Sequence, residues 1–472
     1  MSQTMKSAIF CPYCGTQLLE DALFCQNCGE PQKNPSVLTQ QPSSPEIAPL
    51  TPSAHDPLPN PQPALPNALE PTSHLSRRTV MLGLAGAATV AIAGGSLTWA
   101  ALSGKLHLPF LNASPAAPLP PLANSNTAMF GYDVQHTRFN PSEHILNPAN
   151  VSRLVPYWTF RTGDSIYSSP AVSNGIVYVG SNDARLYALN ATTGAVLWSV
   201  PSTSLIQSSP AIANGIVYIG SLNNNLQAFD ARTGKILWVY STVGPIYSSP
   251  TVMSGIVYLG SFDQKLYALN ARTGVSVWTF PTGNFIFSSP AVANGIVYIS
   301  SFDQKLYALN ARTGSILWTT PAQDPISSPT VANGIVYVGS DDHKLHAFDA
   351  KTGATLWTSP TGDRIYSSPA IANNVVYIGS NDHKLYAFDA RTGITLWTYT
   401  TEDSIESSPT VANGVVYVGS YDSKLYALNA RTGNMLWTST TKGLIHSSPT
   451  VFNGVVYIGS DDGRLYAFHL PH

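Results

Sequence analysis

The chain has 472 residues, a net charge of −2 and only 11% charged side chains. That balance excludes a nucleic-acid surface built on bulk positive charge. All four cysteines fall within the first 28 residues, so no disulfide can staple the remainder.

Residues 1–30 contain Cys11-Pro-Tyr-Cys14-Gly and Cys25-Gln-Asn-Cys28-Gly. The Gly after each pair allows the tight turn that aims backbone N–H groups at the sulfurs. Four thiolates at this spacing suit a tetrahedral zinc ion better than a redox dithiol pair. The arrangement resembles the short zinc ribbons at the N-termini of many bacterial membrane proteins. The expected role of zinc is structural, with Cys11, Cys14, Cys25 and Cys28 as its ligands.

Residues 31–76 are rich in Pro, Ser, Ala and Asn. Such a stretch buries too little apolar surface to offset its chain entropy and reads as a disordered linker. Residues 77–103 hold the next element. The stretch 79–102 has no charged side chain and is about the ~20 residues that a helix needs to cross a bilayer core. Before it, Ser76-Arg77-Arg78-Thr79-Val80-Met81-Leu82 resembles a twin-arginine export signal, with Val80 where that motif prefers Phe. Two arginines flanking the cytoplasmic end of a single-pass helix account for the same residues. Both readings place the ribbon in the cytoplasm and the rest of the chain outside the cell membrane; cleavage as a signal peptide would discard the ribbon, so an uncleaved anchor is the expectation. Residues 104–125 form a second linker.

From 126 to 472 the chain repeats. Ser-Ser-Pro triplets start at Ser168, Ser208, Ser248, Ser288, Ser327, Ser367, Ser407 and Ser447. Tryptophans follow the same period at Trp158, Trp198, Trp238, Trp278, Trp318, Trp357, Trp397 and Trp437. Each period of about 40 residues reads as four short strands separated by turns, several of them Asn-Gly, which favours positive φ. Eight such units predict an all-β, eight-bladed β-propeller, monomeric and closed on itself. The entry segment Val155-Pro-Tyr-Trp158 is an outer-type strand to spare, and the last unit ends without one. The Trp158 strand is therefore expected to complete the last blade and remove its open edge.

The stretch Tyr386-Ala-Phe-Asp-Ala-Arg-Thr-Gly-Ile-Thr-Leu-Trp397, in near-copies around the ring, resembles the tryptophan-docking motif of the pyrroloquinoline-quinone (PQQ) repeat family. The lead-in Phe130-Gly-Tyr-Asp133, His136-Thr-Arg, Asn140-Pro and Asn150-Val-Ser-Arg-Leu resembles the approach to the first blade of quinoprotein dehydrogenases. The resemblance implies the fold. For the enzymes it also implies a quinone, a divalent or lanthanide ion held by acidic and amide side chains, an Asp base and often adjacent cysteines. This propeller has no cysteine, and its uniform repeats carry no inserted loops. The acids Asp263, Asp303, Asp342, Asp382, Asp422 and Asp462 recur at one turn, as turn formers do. No catalytic residue is assigned and PQQ is not expected. The family also has non-catalytic members, such as the propeller of the outer-membrane-protein assembly lipoprotein, a binding scaffold, and this chain resembles that type.

The informative positions are those where repeats differ. Just before the Ser-Ser pairs stand Tyr167, Gln207, Tyr247, Phe287, Tyr366, Glu406 and His446, with the Ser327 unit one residue short. Strand order predicts that they ring one mouth of the central channel. There they either bind a ligand or peptide or vary as exposed turn residues. His343 and His383 read as solvated turn residues. The expectation is a membrane-anchored, non-catalytic scaffold that binds a protein partner. The alternatives are a PQQ- and calcium-dependent dehydrogenase and a ligand-sensing propeller.

Overall fold

The computed structural model describes residues 128–471. The chain divides into two units, Met1–Pro109 and Phe110–His472, and the described residues belong to the second. The ribbon cysteines, both linkers and the 79–102 span lie outside the described residues. Among the described residues no helix is long and apolar enough to cross a membrane.

Eight sheets make up the ring, each with four strands of one blade. Blades 1–8 are numbered here by their inner strands, Ala171–Ser173, Ala211–Ala213, Thr251–Met253, Ala291–Ala293, Thr330–Ala332, Ala370–Ala372, Thr410–Ala412 and Thr450–Phe452. Within a blade the register is tight. In blade 3 one row runs Thr251, Tyr258, Ala268, Trp278 from the axis outward. The Asn-Gly hairpins adopt the conformation their sequence favours; Asn294 and Gly295 have φ of 50° and 76°. Second and third strands such as Ile296–Ser301 and Lys305–Asn310 are almost wholly buried, whereas the outer strand Ile316–Pro321 alternates toward solvent. Each apolar cluster lies between neighbouring blades. One joins Tyr258, Leu266 and Ala268 to Val292, Val297 and Ile299.

Each tryptophan docks its blade onto the next. Trp238 Nε1 donates to the Ala271 carbonyl at 3.0 Å, and the Tyr218 hydroxyl donates to the same oxygen at 3.0 Å. The indole lies flat on Gly274, where a Cβ would meet ring carbons at 2.7 Å. Only glycine permits that approach, at a φ of 71°.

The ring closes as the spare strand predicts. Val155–Arg161 pairs antiparallel with Arg464–His469, setting Trp158 opposite Ala467. Trp158 Nε1 then donates to the Ala191 carbonyl of blade 1 at 3.0 Å. On the other flank of this seam, Trp437 needs an acceptor that a continuous chain would supply from a turn. The short 3-10 helix Val151–Arg153 takes that place, and the Leu154 carbonyl accepts the Trp437 indole N–H at 3.0 Å.

A second closure runs near the axis. The backbone N–H of the second serine in each repeat donates to the hydroxyl oxygen of its counterpart in the next blade. Ser169 donates to Ser209, Ser209 to Ser249, and so on to Ser448, which donates to Ser169 at 3.0 Å. All eight links lie between 2.9 and 3.1 Å, and every one of these serines is buried.

The lead-in 128–142 crosses the ring on the far side of the serines from the mouth. Its backbone oxygens accept from inner strands in turn: Val292 N–H to Val134, Val331 to Gln135, Ile371 to Thr137 and Val411 to Arg138. Phe139–Asn140 pairs with Val411 and Ala412, and the Asn140 amide donates to Val451. This segment plugs one end of the channel. The other end is the mouth.

Candidate functional site at the open mouth

Two turns of every blade reach the mouth. One carries, in every blade but the fifth, the residue before the Ser-Ser pair, and the other the residue after the serine at the end of the second strand. The structure groups these positions into two unlike arcs.

The first arc is aromatic. Tyr247 stacks on Phe287 with centroids 5.4 Å apart and packs on Phe262 at 4.6 Å. Phe262 stacks on Phe285 at 5.2 Å. Phe287 is 39% exposed, so the arc presents an apolar face to solvent.

The second arc is polar and spans blades 5 to 8 and blade 1. The Tyr421 hydroxyl donates to Glu406 Oε2 and lies 2.7 Å from His446 Nδ1. His446 Nε2 lies 3.3 Å from Asp461 Oδ2. Tyr167 stacks on the His446 ring at 4.1 Å. Two carboxylates therefore flank one imidazole, whose side chain is only 9% exposed. Farther along, Arg364 Nε meets Asp341 Oδ1 at 3.0 Å. Burial pushes the Asp341 carboxyl up, opposed by the Arg364 charge. Burial also raises the Tyr366 phenol, and the Asp341 charge adds to that.

Of the positions chosen from sequence, Tyr167, Glu406 and His446 come together in the polar arc, and Tyr247 and Phe287 in the aromatic one. Tyr366 lies beside Arg364, and Gln207 is half-buried at the matching place in blade 2. The Ser327 unit has no such side chain. Its loop turns instead through Gln323 and Asp324, both at positive φ, and pairs Pro325 with Ser340. Sequence reasoning missed Phe262, Phe285, Asp341, Arg364, Tyr421 and Asp461. A signal for four of them was present. The residue after the serine at the end of the second strand reads Asn182, Leu222, Phe262, Phe302, Asp341, Asn381, Tyr421 and Asp461 around the ring, as varied as the chosen set.

The repeated acids have a structural use. Asp263 Oδ2 accepts from the Tyr267 hydroxyl at 2.6 Å and from the Val243 N–H at 2.9 Å, tying a loop to the third strand. Blade 5 repeats the contact with His346 on Asp342. His343 and His383 sit at turn positions with φ of 64° and 68°. Among the described residues no three His, Cys, Asp or Glu side chains stand together to hold a metal ion. In blades 1, 3, 4, 6, 7 and 8 the acid at this turn is engaged by a tyrosine hydroxyl of its own blade.

A family model described as outer membrane protein assembly factor BamB matches residues 155–250, 242–328, 319–408 and 400–470. A zinc-ribbon domain model matches residues 10–32. Curated relatives include the quinoprotein glucose dehydrogenase of Escherichia coli, 31% identical over 123 residues, or 23% of this chain and 15% of that one. Quinoprotein ethanol dehydrogenase of Pseudomonas aeruginosa is 35% identical over 74 residues, 15% of this chain and 12% of that one. The chain thus spans under one-sixth of the length of these relatives. Among solved structures, BamB from Moraxella catarrhalis superposes with a TM-score of 0.59 at 23% identity, covering 68% of this chain and 98% of that one. A europium-containing methanol dehydrogenase superposes at 0.60 with 16% identity, covering 73% and 98%. These likenesses establish the fold.

Proposed function

Because this chain belongs to the family described as outer membrane protein assembly factor BamB, we propose that it is a membrane-anchored, non-catalytic scaffold. Residues 79–102 anchor it, the propeller lies outside the cell membrane, and the ribbon lies in the cytoplasm. Cys11, Cys14, Cys25 and Cys28 hold a structural zinc ion. The open mouth takes a segment of a protein partner. The observation that carries this reading is the division of the mouth into an apolar aromatic arc and an acidic polar arc. A polypeptide presents apolar and cationic side chains a few ångströms apart, and such a mouth can seat both.

The test compares polypeptides that co-purify with the tagged chain from cell envelopes. Parent, a Phe262→Ala/Phe287→Ala double variant and a Val275→Ser rim control are set side by side; Val275 is 65% exposed on the outer face. The expected result is a polypeptide retained by parent and rim control and lost from the double variant. Equal retention by all three contradicts the reading.

The curated dehydrogenase relatives favour a second reading, a quinone enzyme. A titration with PQQ and Ca²⁺ read by absorbance separates the two. Saturable micromolar quinone binding supports the enzyme, and its absence supports the scaffold.

A further inference from the structure

Behind the serine ring, a cavity of about 580 Å³ lies between the plug and the inner strands of blades 1, 7 and 8. That size falls within the ~300–1,000 Å³ of small-molecule sites. Its wall mixes polar and apolar surface, with Met129, Phe130, Phe139, Pro170, Val172 and Phe452 supplying the apolar part.

Arg138 also lines this cavity. It is 2% exposed, and its Nε and Nη2 have no hydrogen-bond partner among the described residues. Its Cζ lies 3.9 Å from the centroid of the Phe130 ring, which holds the guanidinium by a cation–π contact. The carboxylates nearest to it in the chain, Asp133 and Glu143, are engaged elsewhere. Asp133 accepts from the Thr137 hydroxyl and from the N–H groups of Gln135 and Thr137. Glu143 accepts from the N–H groups of Ile145, Leu146 and Gly454. Other polar groups of the wall are likewise spent. The Thr410 hydroxyl donates to Pro449, the Asn140 amide to Val451, and Ser169 and Ser448 belong to the serine ring.

A buried cation without a counter-charge is costly, and the fork of a guanidinium matches a carboxylate with two parallel hydrogen bonds. We propose that this cavity binds a small organic monoanion, a carboxylate on an apolar body, with the carboxylate on Arg138 and the body against Phe130, Phe139 and Phe452. The bound anion clamps the plug segment 128–142 onto the inner strands. The site stands apart from the mouth, and its test does not depend on the scaffold reading.

The experiment titrates the full 472-residue chain calorimetrically with benzoate, octanoate and the neutral isostere benzamide. Saturable binding of a carboxylate is expected, at least tenfold weaker for benzamide and at least tenfold weaker to Arg138→Gln. Ser142, at the exposed rim of the cavity, supplies a variant that leaves Arg138 in place. Ser142→Trp is expected to weaken carboxylate binding at least tenfold without loss of folding. The proposal is overturned by absence of saturable binding of both carboxylates or by benzamide binding as tightly as benzoate. Undiminished affinity in either variant overturns it as well, and Ser142→Trp decides the matter if Arg138→Gln does not fold.

Discussion

The second serine of each repeat carries a part of the ring that its small size conceals. In Ser249, the hydroxyl accepts the buried N–H of Ser209. Ser249→Ala strands that donor, and an unsatisfied buried N–H costs about 1–3 kcal/mol. Urea unfolding is expected to show that loss, against almost none for the exposed Ser276→Ala. The seam offers the converse case. Seven tyrosines, Tyr258 among them, donate to an alanine carbonyl of the next blade. The eighth, Tyr417, meets the seam, and its buried hydroxyl has no partner among the described residues. Tyr258→Phe is expected to cost about 1 kcal/mol and Tyr417→Phe nothing; equal costs would contradict the seam assignment. His136 adds a pH dependence. Burial, reinforced by the Arg138 charge, lowers its pKa to about 3. The unfolded chain takes up a proton near pH 6.5 that the folded chain refuses until about pH 3. Stability from this group is therefore lost as pH falls from about 6.5 toward 3, at up to ~1.4 kcal/mol per pH unit. His136→Gln is expected to flatten that limb of the stability profile relative to parent.

At the scale of elements, the strand Val155–Arg161 does for the ring what no local contact can. It joins the two ends of the repeat array in one sheet and removes two open edges. Trp158 and Trp278 make equivalent contacts with the next blade. Trp158→Ala and Trp278→Ala are therefore expected to lower stability alike, by about 3 kcal/mol. A parent-like melting temperature for Trp158→Ala would contradict closure at this seam. The strands and this closure were legible in the sequence, because a 40-residue period with one spare Trp strand has few solutions. The plug was not. Residues 128–142 repeat nothing, and they bind largely through backbone carbonyls, which any sequence supplies. Half of the mouth was legible, since the turn before Ser-Ser was compared across blades. Tyr421 and Asp461 stand on the other turn, and only the fold brings them to His446. The ribbon is a separate element with its own check. Purified chain is expected to carry one zinc per molecule, lost in Cys11→Ser with no change in propeller melting.

At the scale of the whole molecule, regularity and function pull apart. The tryptophans, glycines and serines repeat because each blade must meet the next in the same way. Such repetition leaves a site only where the blades differ. Those differences are concentrated in the turns at the mouth, where aromatic residues of blades 3 and 4 face the acids and His446 of blades 7 and 8. Among the described residues the plug occupies the opposite end, which leaves the mouth as the approach to the axis. The most direct test of a partner-binding mouth is site-specific photocrosslinking in cells. The photoreactive residue is placed at Phe287 in the mouth and, separately, at Val275 on the rim. The account predicts a discrete polypeptide adduct from position 287 that is absent from position 275 and is lost when Glu406→Gln and Phe262→Ala are added. An adduct pattern that is the same from both positions, or no adduct from 287, would contradict it.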